Sequence, residues 1–109
     1  MLFRNEDRKA VVPQDGVTRK VLATGKDMMM TEVCVKAHVE TAPHQHIHEQ
    51  VSYIAKGSFD VICGEEKFVA NEGDSIWFPS NVRHGVTARD EDSVIIDIFN
   101  PIREDFLED

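Results

Sequence analysis

The chain has 109 residues, with 20 Asp and Glu against 12 Lys and Arg, and a net charge of −8. That length holds one domain, which buries roughly two-thirds of its unfolded surface and so forms a core without staples. The acidic balance argues against a nucleic-acid partner, whose phosphates need a basic face, and no apolar run approaches the ~20 residues of a membrane span.

The charged start, Met1 to Lys9, has no apolar stretch of the kind a signal peptide carries. The expected compartment is therefore a reducing cytoplasm. Cys34 and Cys63 stand 29 positions apart, match no metal or redox spacing, and read as two small buried hydrophobes.

Along the chain, Gly, Pro, Asn and Asp recur at short intervals between runs rich in Val, Ile, Phe and Thr, the punctuation of an all-β sandwich or barrel. From Met29 to Val39 one parity is Met29, Thr31, Val33, Val35, Ala37, Val39 and the other is Met30, Glu32, Cys34, Lys36, His38; one side is plainly apolar, which predicts a half-buried strand. Met28-Met29-Met30 reads as packing at the strand's entry. Further strands are predicted over Val51–Ala55, Ser58–Cys63, Lys67–Ala70, Ser75–Phe78 and Val94–Phe99, the last the most hydrophobic. One short helical piece is expected over Ile102–Glu108.

Three of the five histidines fall in Pro43-His44-Gln45-His46-Ile47-His48-Glu49-Gln50. Alternate residues of an extended segment project to one side, so His44 and His46 can offer imidazole nitrogens to one point. Gln50, at the start of the next strand, can add a carbonyl oxygen, and His84, expected in a turn after Pro79, can add a third imidazole. The alternative is a solvated His-rich loop. His48 reads as a residue at the rim of the site, and His38 as an ordinary strand residue.

The last strand, Ser93-Val94-Ile95-Ile96-Asp97-Ile98-Phe99-Asn100-Pro101, carries one charge between two apolar faces. It should be central, with Asp97 inside the barrel or at its mouth. A buried carboxylate must be paired, hydrogen-bonded, near a metal or kept protonated, and these settings suit either a general acid/base or a structural ion pair. Arg103 can fold back to hold a substrate carboxylate in its fork, or can form a surface pair with Glu104 or Asp105.

These motifs resemble those of the cupins. His44-Gln45-His46, three residues, Gln50, six residues and Gly57 follow the first cupin motif; Gly73, five residues, Pro79-Ser80-Asn81, two residues and His84 follow the second. Four positions depart from the pattern: His38 stands for a Gly, Gln50 for a Glu, Asn81 for a Gly and Ala88 for an Asn. The resemblance implies one all-β, single-domain cupin jelly-roll β-barrel over residues 1–109. Its core is expected at roughly 28–99, with 100–109 closing the barrel mouth. Against a Glu ligand, neutral Gln50 leaves the charge of a bound cation uncompensated and favours anionic oxygen ligands.

The whole chain further resembles the pectin-degradation protein KdgF family. The likeness rests on Met28-Met29-Met30-Thr31-Glu32-Val33, the two histidine motifs, and Asp97-Ile98-Phe99-Asn100-Pro101-Ile102-Arg103-Glu104-Asp105-Phe106-Leu107. It implies an isomerase that turns 4,5-unsaturated monouronates from pectin or alginate into linear keto sugar acids. It also implies one divalent transition metal (Ni, Zn, Mn, Fe or Co) on His44, His46, Gln50 and His84. Asp97 would be the catalytic acid/base, Phe99 the substrate-contacting aromatic and Arg103 the carboxylate-binding arginine. The expected partner is a small anionic sugar acid, and the family likeness and an exposed N-terminal strand point to a homodimer. A cupin dioxygenase using iron and oxygen, and a non-catalytic sugar-acid binding protein, are the competing readings.

Overall fold

The computed structural model describes residues 1–107. After a single 3-10 turn at Asn5–Asp7 come nine strands: β1 (Ala10–Gln14), β2 (Val17–Thr24), β3 (Met29–Val35), β4 (Glu49–Lys56), β5 (Ser58–Cys63), β6 (Glu66–Asn71), β7 (Ser75–Phe78), β8 (His84–Ala88) and β9 (Ser93–Asn100). One turn of helix, α1 (Glu104–Leu107), follows. Glu108, the end of the expected helix, and Asp109 lie outside the described residues.

The strands form two antiparallel sheets. One has the order β1-β2-β3-β9-β4-β7 and the other β6-β5-β8. This is the all-β jelly roll that the turn spacing and the two cupin-like motifs predict. Between the sheets Val17, Val35, Ile54, Phe59, Val61, Ile76 and Phe78 make the core.

β9 is central, as its two apolar faces predict: it pairs with β3 on one side and β4 on the other. Its buried parity is Ser93, Ile95, Asp97 and Phe99. Register then fixes the neighbours of Asp97, which lies opposite Thr31 on β3 and Ser52 on β4.

Four sequence-based expectations are corrected. The strand from Met29 ends at Val35 rather than continuing to Val39, because His38 adopts a left-handed φ of 65° and turns the chain. His38 is therefore a turn residue, and it occupies the motif position where a Gly is usual. Asn81, the other replaced Gly, has φ 62°, a conformation Asn tolerates better than most residues. His84 does not sit in a turn; it opens β8, a strand without clear alternation in sequence. Finally, Cys34 and Cys63 are free, as expected, but half-buried rather than buried. Among the described residues, no helix is long and apolar enough to cross a membrane.

Candidate metal centre and active-site cavity

Three imidazoles converge at one end of the barrel. His44 and His84 are held by reciprocal backbone bonds, His44 N–H to His84 O at 2.9 Å and His84 N–H to His44 O at 2.8 Å. Gly85 lets the His44 segment pack this closely, since a Cβ there would lie 3.3 Å from the Cα of Pro43. His46 is fixed from the other motif, where Asn81 N–H donates to its carbonyl at 2.7 Å. One ligand nitrogen from each of His44, His46 and His84 lies within 4.8 Å of the other two.

The hydrogen bonds set the tautomers. Nδ1 of His44 faces the Ala42 carbonyl at 3.2 Å, Nδ1 of His46 the His48 carbonyl at 2.9 Å, and Nδ1 of His84 the Val82 carbonyl at 3.0 Å. A carbonyl only accepts, so each Nδ1 carries the proton and each neutral ring keeps a lone pair on Nε2. Burial, the Arg103 charge and His84 lower the His46 pKa to about 4, so its ring is neutral at pH 7. Burial likewise lowers the pKa of His84.

The residues present fit a divalent transition metal. His84 Nε2 is buried with no hydrogen-bond partner, a costly state for an isolated imidazole lone pair. Gln50 is buried at 4% exposure, and its Oε1 lies 3.2 Å from His46 Nε2. With His46 protonated on Nδ1, those two atoms are both acceptors, and a cation shared between them relieves the clash of lone pairs. Neutral imidazoles oriented by backbone carbonyls are the usual way a protein prepares a metal site.

Gln50 also leads to Asp97. Its Nε2 donates to Ser52 Oγ at 3.0 Å, and the Ser52 hydroxyl donates to Asp97 Oδ1 at 2.6 Å. Among the described residues Asp97 makes no ion pair, so its partner is a hydroxyl rather than a buried arginine. Burial raises its pKa to about 6, against the opposing pull of Ser52, Gln50 and Arg103.

Phe99 stands beside the imidazoles, with its ring centroid 5.8 Å from that of His46 and 6.4 Å from that of His48. Arg103 folds back to the cavity and forms the expected pair with Asp105. It lines the same cavity as Asp97 and Phe99, and the pair has two bonds, from Nε at 3.1 Å and Nη2 at 3.0 Å. Its guanidinium lies 4.1 Å from the centroid of Phe106 and 5.4 Å from that of Phe99. His48 stays outside the three-imidazole cluster, near its rim; its own carbonyl is what orients His46.

The cavity lined by His44, Gln50, His84, Asp97, Phe99 and Arg103 has a volume of about 350 Å³. Sequence reasoning missed Ser52, which bonds to Asp97, and two residues of the lining, Phe78 and Arg19. Ser52 is a small polar residue on an alternating strand, with nothing in sequence to mark it. Phe78, stacked on His84 at 4.5 Å, reads simply as core. Arg19 lies on β2, an N-terminal strand whose bounds were not legible in sequence, and its polar neighbours Thr18 and Lys20 leave it without the apolar setting that marks Asp97.

The sequence model of the cupin domain family matches residues 31–99. Over 97 residues the chain is 44% identical to pectin degradation protein KdgF of Dickeya dadantii (strain 3937), covering 85% of this chain and 86% of that one. The chain is a cupin of the KdgF family. The solved structure of KdgF from Halomonas sp. superposes with a TM-score of 0.91 at 33% identity, covering 97% of this chain and 99% of that one. An RmlC-like cupin from Shewanella frigidimarina NCIMB 400 gives a TM-score of 0.90 at 30% identity, covering 96% and 94%. The three-histidine cluster of this family member is positioned for a metal.

Proposed function

We propose that this KdgF-family cupin is a metal-dependent isomerase that opens and ketonises 4,5-unsaturated monouronates, the products of pectin or alginate lyases, to linear 4-deoxy-5-ketouronates. The observation that carries the reading is one cavity lined by His44 and His84 of the three-imidazole cluster, by a carboxyl group with a pKa of about 6 and by an arginine fork. The likeness to a relative named for pectin degradation supports the substrate class. The cavity volume, at the low end of small-molecule sites, suits a monosaccharide better than an oligomer.

His44, His46, Gln50 and His84 would hold the metal, which when bound supplies Lewis-acid stabilisation of anionic oxygens on the substrate and its enolate. Arg103 binds the C6 carboxylate through the guanidinium edge that Asp105 leaves open. Phe99 packs against the sugar and helps exclude water. Asp97, as carboxylate, takes the proton from the C1 hydroxyl as the C1–O5 bond breaks, which leaves an aldehyde at C1 and an enol oxygen at C5. It then delivers a proton to C4, and the enol becomes the C5 ketone. No atoms are gained or lost and no electron carrier is consumed. A pKa of about 6 keeps both forms of Asp97 accessible near neutrality, as a group that accepts and then donates requires.

The outer face of the larger sheet supports a homodimer. Met30, Ile98, Val51 and Trp77 form one row across β3, β9, β4 and β7, and Val51 and Trp77 are 46% and 61% exposed. The test of the activity is anaerobic incubation of metal-loaded protein with 4,5-unsaturated galacturonate, followed by loss of the alkene's ultraviolet absorbance. Expected is turnover well beyond one equivalent. Alkene loss no faster than in buffer overturns the reading; dependence on oxygen favours a dioxygenase, and binding without turnover a sugar-acid binding protein.

A further inference from the structure

We propose that Asp105 is a positioning residue for uronate binding: its carboxylate fixes the Arg103 guanidinium so that the opposite edge meets the carboxylate of the substrate. The inference rests on the uronate reading above and deepens it, by naming the residue that sets the angle of the binding fork.

A guanidinium presents its N–H donors in one plane, along a side edge and an end edge. Asp105 takes the side edge of Arg103, with Nε at 3.1 Å and Nη2 at 3.0 Å. Two bonds to one carboxylate fix the plane of the guanidinium, where a single bond would let it swing. Among the described residues the end edge, Nη1 with the second Nη2 N–H, stays open to another carboxylate in the same fork geometry. The Phe106 ring, 4.1 Å away, adds an aromatic support for the charge. This is more than a loose surface pair: the Arg103 side chain is 13% exposed, and Asp105 reaches it from a side chain 60% exposed. The bonds from Arg103 hold the Asp105 carboxyl below its ordinary pKa, so it is ionised at neutral pH.

The turn that carries this pair is tied to the barrel through Phe106. A helix of one turn does not stand alone, and α1 is closed by Phe106 N–H donating to the Arg103 carbonyl at 3.0 Å. The Phe106 ring lies 5.8 Å from that of Phe99 on β9 and takes the Arg19 guanidinium of β2 at 3.7 Å. Arg19 and Arg103 therefore meet on one ring and repel each other. Burial first, and then the Arg103 charge, lower the Arg19 pKa, with Asp105 opposing. Asp105 thus offsets a repulsion that would otherwise push Arg103 from its place. Arg103 and Phe106 line the cavity and Asp105 does not, so Asp105 acts through Arg103 rather than on the substrate. Charge alone predicts the reverse effect, since an anion near the site weakens the binding of a uronate and its removal should help. Positioning predicts that its removal hurts, and the sign separates the two.

The test compares Asp105→Asn, Asp105→Ser and Asp105→Glu with wild type as metal-loaded proteins, and repeats Asp105→Asn in an Arg103→Gln background. The readouts are melting temperature, metal content, kinetics on 4,5-unsaturated galacturonate, and calorimetric binding of saturated D-galacturonate. Expected for Asn and Ser is a rise of about fivefold or more in KM and in the galacturonate Kd, with kcat within about twofold and metal content unchanged. Melting temperature should stay close to that of wild type, since an exposed carboxylate contributes little to stability. Glu, which keeps the carboxylate, should recover part of the lost affinity. In the Arg103→Gln background, Asp105→Asn should change kcat/KM by less than about twofold, because the group it positions is gone. Ser carries the test if Asn fails to fold. Folded Asn and Ser variants with a KM at or below that of wild type, or an equal loss in the Arg103→Gln background, overturn the role of Asp105 while the uronate reading stands. A wild-type protein that neither binds galacturonate nor consumes the unsaturated uronate overturns both.

Discussion

The Ser52 hydroxyl lies 2.6 Å from Asp97 Oδ1 and donates to it, while accepting from Gln50 Nε2 at 3.0 Å. One hydroxyl therefore couples an amide beside the imidazoles to a buried carboxyl group. The donated bond favours the ionised form and opposes the burial that raises the Asp97 pKa. Ser52→Ala should raise that pKa further. The acid limb of the pH profile of kcat/KM should then move to higher pH by up to about one unit, with metal content unchanged. A limb that stays in place would remove the Ser52–Asp97 bond from the account.

Asp97 itself makes opposite demands on stability and activity. Its folded pKa, about 6, lies above the ordinary carboxylate value, so the unfolded chain releases this proton first. The sign follows: protonated Asp97 favours the fold below about pH 4, and that contribution is lost as pH rises through about 6. Asp97→Asn in metal-free protein should match wild type near pH 4 and become the more stable protein above pH 6, by up to about 3 kcal/mol. Denaturant titrations across this range measure the difference. Turnover of the same variant, loaded with metal, should fall about 10²-fold or more.

The tautomers make a prediction about metal. His84→Ala should lose most of the bound metal by elemental analysis, because it removes a buried Nε2 lone pair with no other partner. His48→Ala should keep it, since the contact that orients His46 is the backbone carbonyl of residue 48. In metal-free protein, the lowered pKa of His46 makes the fold lose stability as pH falls from about 6.5 toward about 4. Added metal should raise the melting temperature at pH 7, and chelator should reverse it.

Gln50→Glu should bind metal at least as tightly, since it adds an anionic ligand, and bind uronate more weakly, since the net charge of the site falls by one. It also replaces the amide that donates to Ser52, and a second carboxylate near Asp97 pushes the Asp97 pKa up. KM should rise at low salt and the acid limb should shift upward. A wild-type KM at low salt contradicts the charge argument for the glutamine.

The apolar row on the outer sheet face makes its own prediction. Val51→Asp, at a position 46% exposed in the single chain, should leave the fold intact and shift sedimentation from dimer to monomer. Unchanged sedimentation would place the contact elsewhere or exclude it.

Legibility in the sequence followed locality. β3 was readable from its apolar parity and β9 from its continuous apolar run, and a lone charge between two apolar faces placed Asp97 inward without reference to any other strand. His44, His46 and Gln50 are close in sequence, so their convergence needed only extended backbone. An N-terminal strand was expected, but β1 and β2 were given no bounds, because Arg19 interrupts the apolar parity of Val17 and Val21 and a register shift after Val21 breaks the alternation. With β2 went Arg19, whose approach to Arg103 through Phe106 spans most of the chain. β8 begins on a histidine and a glycine, and its hydrogen bonds to the His44 segment are non-local. The Gln50–Ser52–Asp97 chain depends on the register of β4 against β9, which alternation alone does not determine.

The most direct measurement is proton NMR of 4,5-unsaturated galacturonate in D₂O with metal-loaded wild type and Asp97→Asn. With wild type, the C4 alkene proton signal should disappear, the linear keto acid should accumulate, and solvent deuterium should enter at C4 with one facial preference. Asp97→Asn, with wild-type metal content and melting behaviour, should do this about 10²-fold more slowly or not at all. An Asp97→Asn protein that deuterates C4 at the wild-type rate and with the same facial preference would contradict Asp97 as the group that moves the proton.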